Sequence, residues 1–438
     1  MKKTLLLVAL SAFTLGIVAQ PPADSTPTYP SGATYTLSDG STVTKTGESL
    51  ESSTQYYNVV QVTKGTLTLT NCTFTKSGDG SGGDNSSFYG NNSTIYAGAA
   101  SSTDYQSTTA ASSAKIIISG GTVTGSAQGA NAVIATNGAT IEVDGLTIVN
   151  NNSVSRGLHA TYGGIIKASN VTITTNEATS STIATDRGGG TVTVSGGTAT
   201  ANGSKSAVIY STGTMSATDL VGKSASGEIA VIEGDNSISM TNCTMTSGSS
   251  ERGLLMMQSG SGDASGYNPT MTITGTSLTM TDSSAPLLEV ATAVTATCTL
   301  SNCTITVPSG ILMYVMADSQ WSTSGAIGNL ILDNGTYSGI VKYDSGYTAN
   351  VTVNSGATWN LTANTTISTL VNNGTINCNG YTLTYNSKSG SGTINESSNI
   401  SAVQTEDADA SAYTLDGRRV KAPYKGVIVK DGRKYLSK

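Results

Sequence analysis

The side chains able to do chemistry are gathered in the middle of this chain. Only 11% of its 438 residues are charged, against roughly 25% in an average soluble protein. Even so, Arg156, Asp186, Arg187, Glu228, Glu233, Asp235, Glu251, Arg252 and Asp263 follow one another closely, and SRGL at 155–158 is echoed by ERGL at 251–254. Guanidinium groups among carboxylates can pair with one another in turns, grip a polyhydroxylated ligand, or cleave a glycosidic bond. Cleavage needs two carboxylates at a fixed separation, one of them held as an acid. The single histidine, His159, lies in Gly157-Leu158-His159-Ala160 and reads as a turn or surface residue rather than a general base. No D-x-x-D run stands near Arg187 or Arg252 to hold calcium. A binding patch of Arg156, Asp186, Arg187, Glu233, Asp235, Glu251 and Arg252 is therefore the candidate site. Arg187, Arg252, Glu233 and Asp235 are the residues a hydrolase or lyase would use.

Other candidates yield to plainer readings. Gly188-Gly189-Gly190 has no Lys-Ser/Thr and no following helix, so it is a sharp corner rather than a phosphate cradle. Cys72, Cys243, Cys298, Cys303 and Cys378 are odd in number. Four follow Asn directly and three share one slot of a repeat, which reads as small apolar residues facing an interior, with a Cys298–Cys303 link, or one between stacked coils, as the alternative that spacing alone leaves open. With one His and no CxxC pair, neither a zinc site nor a cofactor is expected. Tyr89, Tyr96 and Tyr105 lie in a long Gly/Ser-rich stretch, 77–110, from which they could stack on sugar rings. Paired threonines, Thr73/Thr75 through Thr304/Thr306, could form a flat hydroxyl and methyl array of the kind ice binding needs. Intervening copies break the array at Thr147, Val221 and Thr279.

The element that must position these residues is written as a repeat. TNCTFT at 70–75, SGGTVT at 119–124, SNVTIT at 169–174, SGGTAT at 195–200, TNCTMT at 241–246 and SNCTIT at 301–306 are copies of one phrase. With weaker copies marked at Leu146, Asp219 and Thr276, the third residues are spaced 49, 25, 25, 26, 22, 24, 33 and 27 apart. Such self-similarity marks a solenoid whose units cannot bury their own apolar faces. Each period holds short alternating β-branched runs punctuated by Gly, Asn, Asp or Ser, which predicts an all-β, right-handed parallel β-helix of about a dozen coils. Stacked ~4.8 Å apart, these make a rod on the order of 55–60 Å long. The middle residue of each Thr-x-Thr points inward, so Phe74, Val123, Ile173, Ala199, Met245 and Ile305 should stack as one column.

The chain divides by composition. Residues 1–19 have the basic start, apolar run and small residue of a secretory signal. Residues 20–55 read as a leader or cap, 56–385 as the β-helix with insertions at 77–110 and 308–330, 386–410 as a polar linker, and 411–438 as a small β unit. Residues 1–410 carry 14 Lys and Arg against 26 Asp and Glu, whereas 411–438 carry 8 against 2. An acidic, charge-poor body argues against nucleic acid as a partner. No later run has the length of a membrane helix.

Two resemblances follow from particular residues. The tail AYTLDGRRVKAPYKGVIVKDGRKYLSK, with Gly417, Arg418, Pro423, Gly426 and Lys438 in place, resembles the C-terminal sorting segments of Bacteroidota secreted proteins, although it is shorter than a full sorting domain. That resemblance implies passage through outer-membrane secretion machinery to the cell surface or medium. The body, through SRGLHATYGG, ATDRGGGTVTV, VIYSTG, AVIEGDNSI, MMQSGSGDA and GATWNLTANTTISTL, resembles adhesin-like β-helix surface proteins of gut microbes. The Asp-Asp and Gly-His-Gly contexts of polygalacturonase-like enzymes do not occur around His159. The expectation is a non-enzymatic, surface-displayed rod that binds host or microbial glycans or proteins along nearly uncharged flanks. The alternatives are a polysaccharide lyase or glycoside hydrolase on the same scaffold, and a passive structural surface protein.

Overall fold

The slot that alternates between Asn and Gly in the repeat phrase is a left-handed corner. Asn71, Asn170, Asn242 and Asn302 have φ of 51–53°, and Gly120, Gly145, Gly196 and Gly275 have φ of 59–69°. Glycine enters this region without penalty and Asn or Asp with a small one, which is why the slot admits little else. Asp219, at φ 53°, also occupies it, and the register Thr198↔Val221↔Thr244 agrees. The weak copy marked at Asp219 therefore begins one residue later than the phrase suggested, with Leu220 in the third slot.

Each corner joins two short strands, and stacking them coil on coil produces a right-handed parallel β-helix. The structure, a computed structural model, describes residues 30–80, 84–99, 112–318, 320–321, 325–396 and most of 412–437. The expected signal, 1–19, and linker residues 397–410 lie outside the described residues. One sheet has 12 strands, and a 22-stranded sheet carries the two legs that meet at the corner. The residues expected as a leader or cap include a full first coil, Ala33–Leu37, Thr42–Thr46 and Ser49–Ser52, paired in parallel to the next. At the other end stacking passes Tyr385. Leu383–Ser389 pairs with Thr365–Asn372, and Thr393–Asn395 with Thr375–Asn377. The start of the expected linker is thus the last coil.

The predicted interior column exists and is longer than the six residues expected. Register runs Leu50, Phe74, Val123, Ile148, Ile173, Ala199, Gly222, Met245, Leu278, Ile305. Ile305, near the column's end, is only partly buried. A Cβ on Gly222 would come within 2.4 Å of Met245 Sδ, so the long methionine fills the space that the glycine leaves. Cys298 stacks between Met271 and Leu330 in a second column. All five cysteines are buried and unpaired, and burial pushes the Cys298 thiol up to about 12. Each fully buried Leu or Ile contributes about 1.5–3 kcal/mol.

In the final coils Tyr337 and Trp359 stack in register. Trp359 Nε1–H donates to Gly339 O at 3.0 Å and Tyr337 O–H donates to Leu300 O at 2.8 Å, satisfying the polar tips of two buried rings. Outside, side-chain amides form ladders: Asn176 Nδ2 to Asn151 Oδ1 and Asn202 Nδ2 to Asn176 Oδ1, both 2.7 Å. Separately, Ala412–Thr414, Arg419–Val420, Gly426–Lys430 and Arg433–Ser437 make a four-stranded antiparallel sheet in which Lys430 faces Arg433. This is the small β unit expected of the tail. Arg418 is exposed in it and Gly426 opens its longest hairpin. Gly417, Pro423 and Lys438 lie outside the described residues. No helix among the described residues is long and apolar enough to cross a membrane.

Candidate functional site: a lateral groove on the twelve-stranded sheet

The outward side chains of the 12-stranded sheet stack as strictly as the inward ones. One outward column reads Tyr96, Ile134, His159, Ala184, Tyr210, Val231, Leu255, Glu289. Three insertions fold onto this face. The first is the helix Asp84–Tyr89, inside the stretch expected as a lateral loop. The second is the segment 258–269, which produces the spacing of 33 in the repeat. The third is the segment around Trp321. The helix is fastened by a reciprocal pair, Ser87 Oγ to Asn131 Oδ1 and Asn131 Nδ2 to Ser87 O, both 2.7 Å, and by Thr161 Oγ1 to Phe88 O at 2.9 Å. It covers Tyr96, Ile134 and His159. Beyond its edge, between the three insertions, lies a groove of about 1160 Å³.

Charged residues from distant coils converge there. Arg156, buried to 6% exposure, meets Asp84 at 3.2 Å and Asp186 at 3.1 Å, and its guanidinium lies 5.5 Å from the centre of the Phe88 ring. His159 Nε2 is 2.9 Å from Asp186 Oδ2. Burial, and then the positive charge of Arg156, hold His159 well below its ordinary pKa. Burial pushes the Asp186 carboxyl up to about 8, against the pull of Arg156. On the next wall Arg187 Nε donates to Asp263 Oδ1 at 2.8 Å, with its guanidinium over the Phe88 ring at 4.7 Å. Tyr210 O–H donates to Glu233 Oε1, and Ser259 N–H donates to Glu233 Oε2. Glu233 is raised by burial against these two donors, and Tyr210 is raised by burial and by the Glu233 charge.

A second cluster surrounds Arg252. Its guanidinium reaches Glu228 at 3.0 Å, Glu289 at 2.9 Å, Asp318 at 3.4 Å and Glu251 at 3.4 Å. The first three carboxylates are 13%, 5% and 3% exposed, and Glu251, at the rim, is 70% exposed. Burial, with added repulsion from Asp318 and Glu251, pushes Glu289 up to about 7 although Arg252 opposes it. Asp318 Oδ1 also accepts the amide N–H groups of Gln320 and Trp321, each at 2.8 Å, and so ties the tryptophan to the cluster. Between the two clusters the floor is apolar: Val231, Leu255 and Met257, with Tyr210 and Trp321 packed against them.

Six of the seven predicted patch residues meet in this groove: Arg156, Asp186, Arg187, Glu233, Glu251 and Arg252 all line it. Asp235 does not. It is exposed, accepts from the Asn268 side-chain amide at 3.1 Å and so holds the foot of the 258–269 segment. The tyrosines also differ from expectation. Tyr96 is a sheet residue with no exposure, and Tyr89 turns onto Tyr162 with ring centroids 5.9 Å apart, because the helix clamps both against the sheet. Tyr105 lies outside the described residues. His159, expected in a turn or on the surface, is a wholly buried strand residue.

Asp84, Phe88, Tyr210, Glu289, Asp318 and Trp321 complete the site. For Tyr210 and Glu289 the sequence signal was an aromatic or charged residue among apolar strand residues, as in VIYS and LLEVA; Asp84, Phe88, Asp318 and Trp321 stand in polar insertions without that signal. Gly188 and Gly189 form the expected corner, with φ of 73° and 65°. The threonine ranks stack in register, but Val221 and Lys223 cut across them. The flank expected to be nearly uncharged carries Glu51 and Lys223 in these ranks, and on the neighbouring leg Lys115 pairs with Glu142 at 3.0 Å. On the groove face acids converge.

No family model, no curated protein and no solved structure matches this chain.

Proposed function

We propose that this protein is an exported, surface-displayed β-helix rod whose lateral groove binds a glycan chain without cleaving it. The observation that carries this reading is the groove itself: about 1160 Å³, walled by three insertions from separate coils, with carboxylates and guanidinium groups around an apolar floor beside Trp321. Sugar rings present apolar faces to aromatic surfaces and hydroxyls to charged hydrogen-bonding groups. A rigid rod holds both in place. Export and display are supported by the signal-like segment 1–19 and the sorting-like tail.

A second reading, hydrolysis, is favoured by one specific observation: burial raises Glu233 above the ordinary carboxylate range and Asp186 to about 8 at the groove, beside the Arg187-bound carboxylate of Asp263. Against it, these two acids are sealed. The Asp186 side chain is 2% exposed and engaged by Arg156 and His159, and Glu233 is 1% exposed with its oxygens taken by Tyr210 and Ser259. A proton donor must reach the leaving oxygen.

The test is incubation of the purified protein with a panel that spans pectins, glycosaminoglycans, mucin glycans, and neutral and amine-bearing polysaccharides. Saturable binding to at least one of these classes that Trp321→Ala abolishes, without new reducing ends or unsaturated products, is the expected result. Turnover that disappears in Glu233→Gln or Arg187→Ala would establish the hydrolytic reading instead.

A further inference from the structure

We infer that the glycan this groove takes is cationic, carrying protonated amines, and that acidic polysaccharides are excluded from it. The inference rests on the glycan reading above and narrows it. Among the described residues seven carboxylates line the groove against four basic groups, and five remain even when Asp186 and Glu233, both raised by burial, are set aside; the arginines are already engaged. Arg156 serves Asp84 and Asp186, Arg187 serves Asp263, and Arg252 serves four acids. Lys205, the remaining lining cation, is exposed at the margin. A ligand carboxylate or sulfate would have to draw an arginine away from a buried partner, leaving that partner's charge unpaired in a poorly solvated site. Like charges brought together across an interface oppose binding strongly.

The Arg252 end supplies the attraction. One guanidinium faces Glu228, Glu251, Glu289 and Asp318, and even with Glu289 protonated, as burial first and then the repulsion of Asp318 and Glu251 favour up to about 7, three carboxylates are left to it. Trp321 is tethered to the same cluster through Asp318 and packs along the apolar floor. An aromatic face bordered by carboxylates in a concave site is suited to an ammonium group on an otherwise apolar ring face. An amino sugar has that form.

The experiment is calorimetric titration of the full chain at pH 6 with three oligosaccharides of matched length: a β-1,4-linked glucosamine oligomer, its N-acetylated counterpart and a galacturonic acid oligomer. The glucosamine oligomer should bind about ten-fold or more tightly than the acetylated one and weaken with added salt. The acidic oligomer should not bind. Glu251→Gln, at an exposed rim position where folding is not at stake, should weaken the amine-bearing oligomer about five-fold and leave the acetylated one unchanged. Equal affinity for acetylated and amine-bearing oligomers, or preference for the acidic one, overturns this inference and leaves the glycan reading standing. Silence across these three and a broad glycan array overturns both.

Discussion

Replacing Arg252 by methionine puts the electrostatics of the groove to a quantitative test. The substitution keeps much of the apolar stem and removes the guanidinium that, among the described residues, alone pairs with Glu228, Glu289 and Asp318, whose side chains are 13%, 5% and 3% exposed. Removing one partner of a buried ion network typically costs ~3–5 kcal/mol, and that range should apply at pH 8, where Glu289 is ionised. Glu289 already rises to about 7 from 4.5 with Arg252 present. Without the arginine it rises further, so the folded variant binds a proton that the unfolded chain has released. For an acid with a raised folded pKa, the stabilising effect is complete below the unfolded value and fades as pH climbs through the folded one. The penalty of Arg252→Met should therefore shrink to ~1 kcal/mol at pH 5. Urea unfolding followed through Trp321 fluorescence in a Trp359→Phe background reads this region locally, which matters because coil arrays need not unfold in one step. Adding Glu289→Gln should recover part of the loss at pH 8 and little at pH 5. A penalty below ~1 kcal/mol at pH 8, or one that grows on acidification, would refute the reasoning.

Further outcomes follow from other parts of the rod. At the corner, where Asn242 has φ 53°, Asn242→Ala should cost ~1–2 kcal/mol and Asn242→Gly almost nothing, measured by thermal unfolding. In the interior column Ile173→Ala should cost ~3 kcal/mol, while Val149→Thr on the outer rank should stay within ~0.5 kcal/mol in the same assay. Lys76 is wholly buried, its Nζ donating to Thr54 O and Gly78 O, and burial lowers its pKa from 10.5 to about 8. Because the folded chain then binds fewer protons than the unfolded one, stability should rise between pH 8 and 10.5, and Lys76→Met should remove that slope. Arg156→Lys forfeits the two-carboxylate grip on Asp84 and Asp186 and should make the helix Asp84–Tyr89 cleavable by limited proteolysis with the coils intact.

The coils were legible in the sequence because one constraint recurs in every period. A left-handed corner needs Asn, Gly or Asp, and the next strand alternates with a period of two, so Asn71-Cys72-Thr73-Phe74-Thr75 specifies a corner, an inward pair and an outward pair within a few residues. The interior column was legible for the same reason, and where it was incomplete, at Leu50, Ile148, Gly222 and Leu278, the copies had lost their flanking threonines or shifted by a residue. The clustering of Arg156, Asp186, Arg187, Glu233, Glu251 and Arg252 could be foreseen, since positions about one coil apart stack. What the repeat could not specify was the path of the insertions. Whether the residues of 77–110 extend sideways or fold back depends on partners such as Asn131 and Thr161 in other coils, so the covering of His159 and Tyr96 was out of reach. Asp235 was misplaced for a related reason: it follows Glu233 by two residues, but Gly234, at φ 69°, turns the chain out of the groove between them.

The most direct measurement is hydrogen–deuterium exchange on the full chain with and without a saturating glycan. The account predicts slowed exchange in the helix Asp84–Tyr89, in the 258–269 segment and around Asp318–Trp321, with the threonine ranks unchanged. Protection along the threonine-bearing strands with the three insertions unaffected would contradict it.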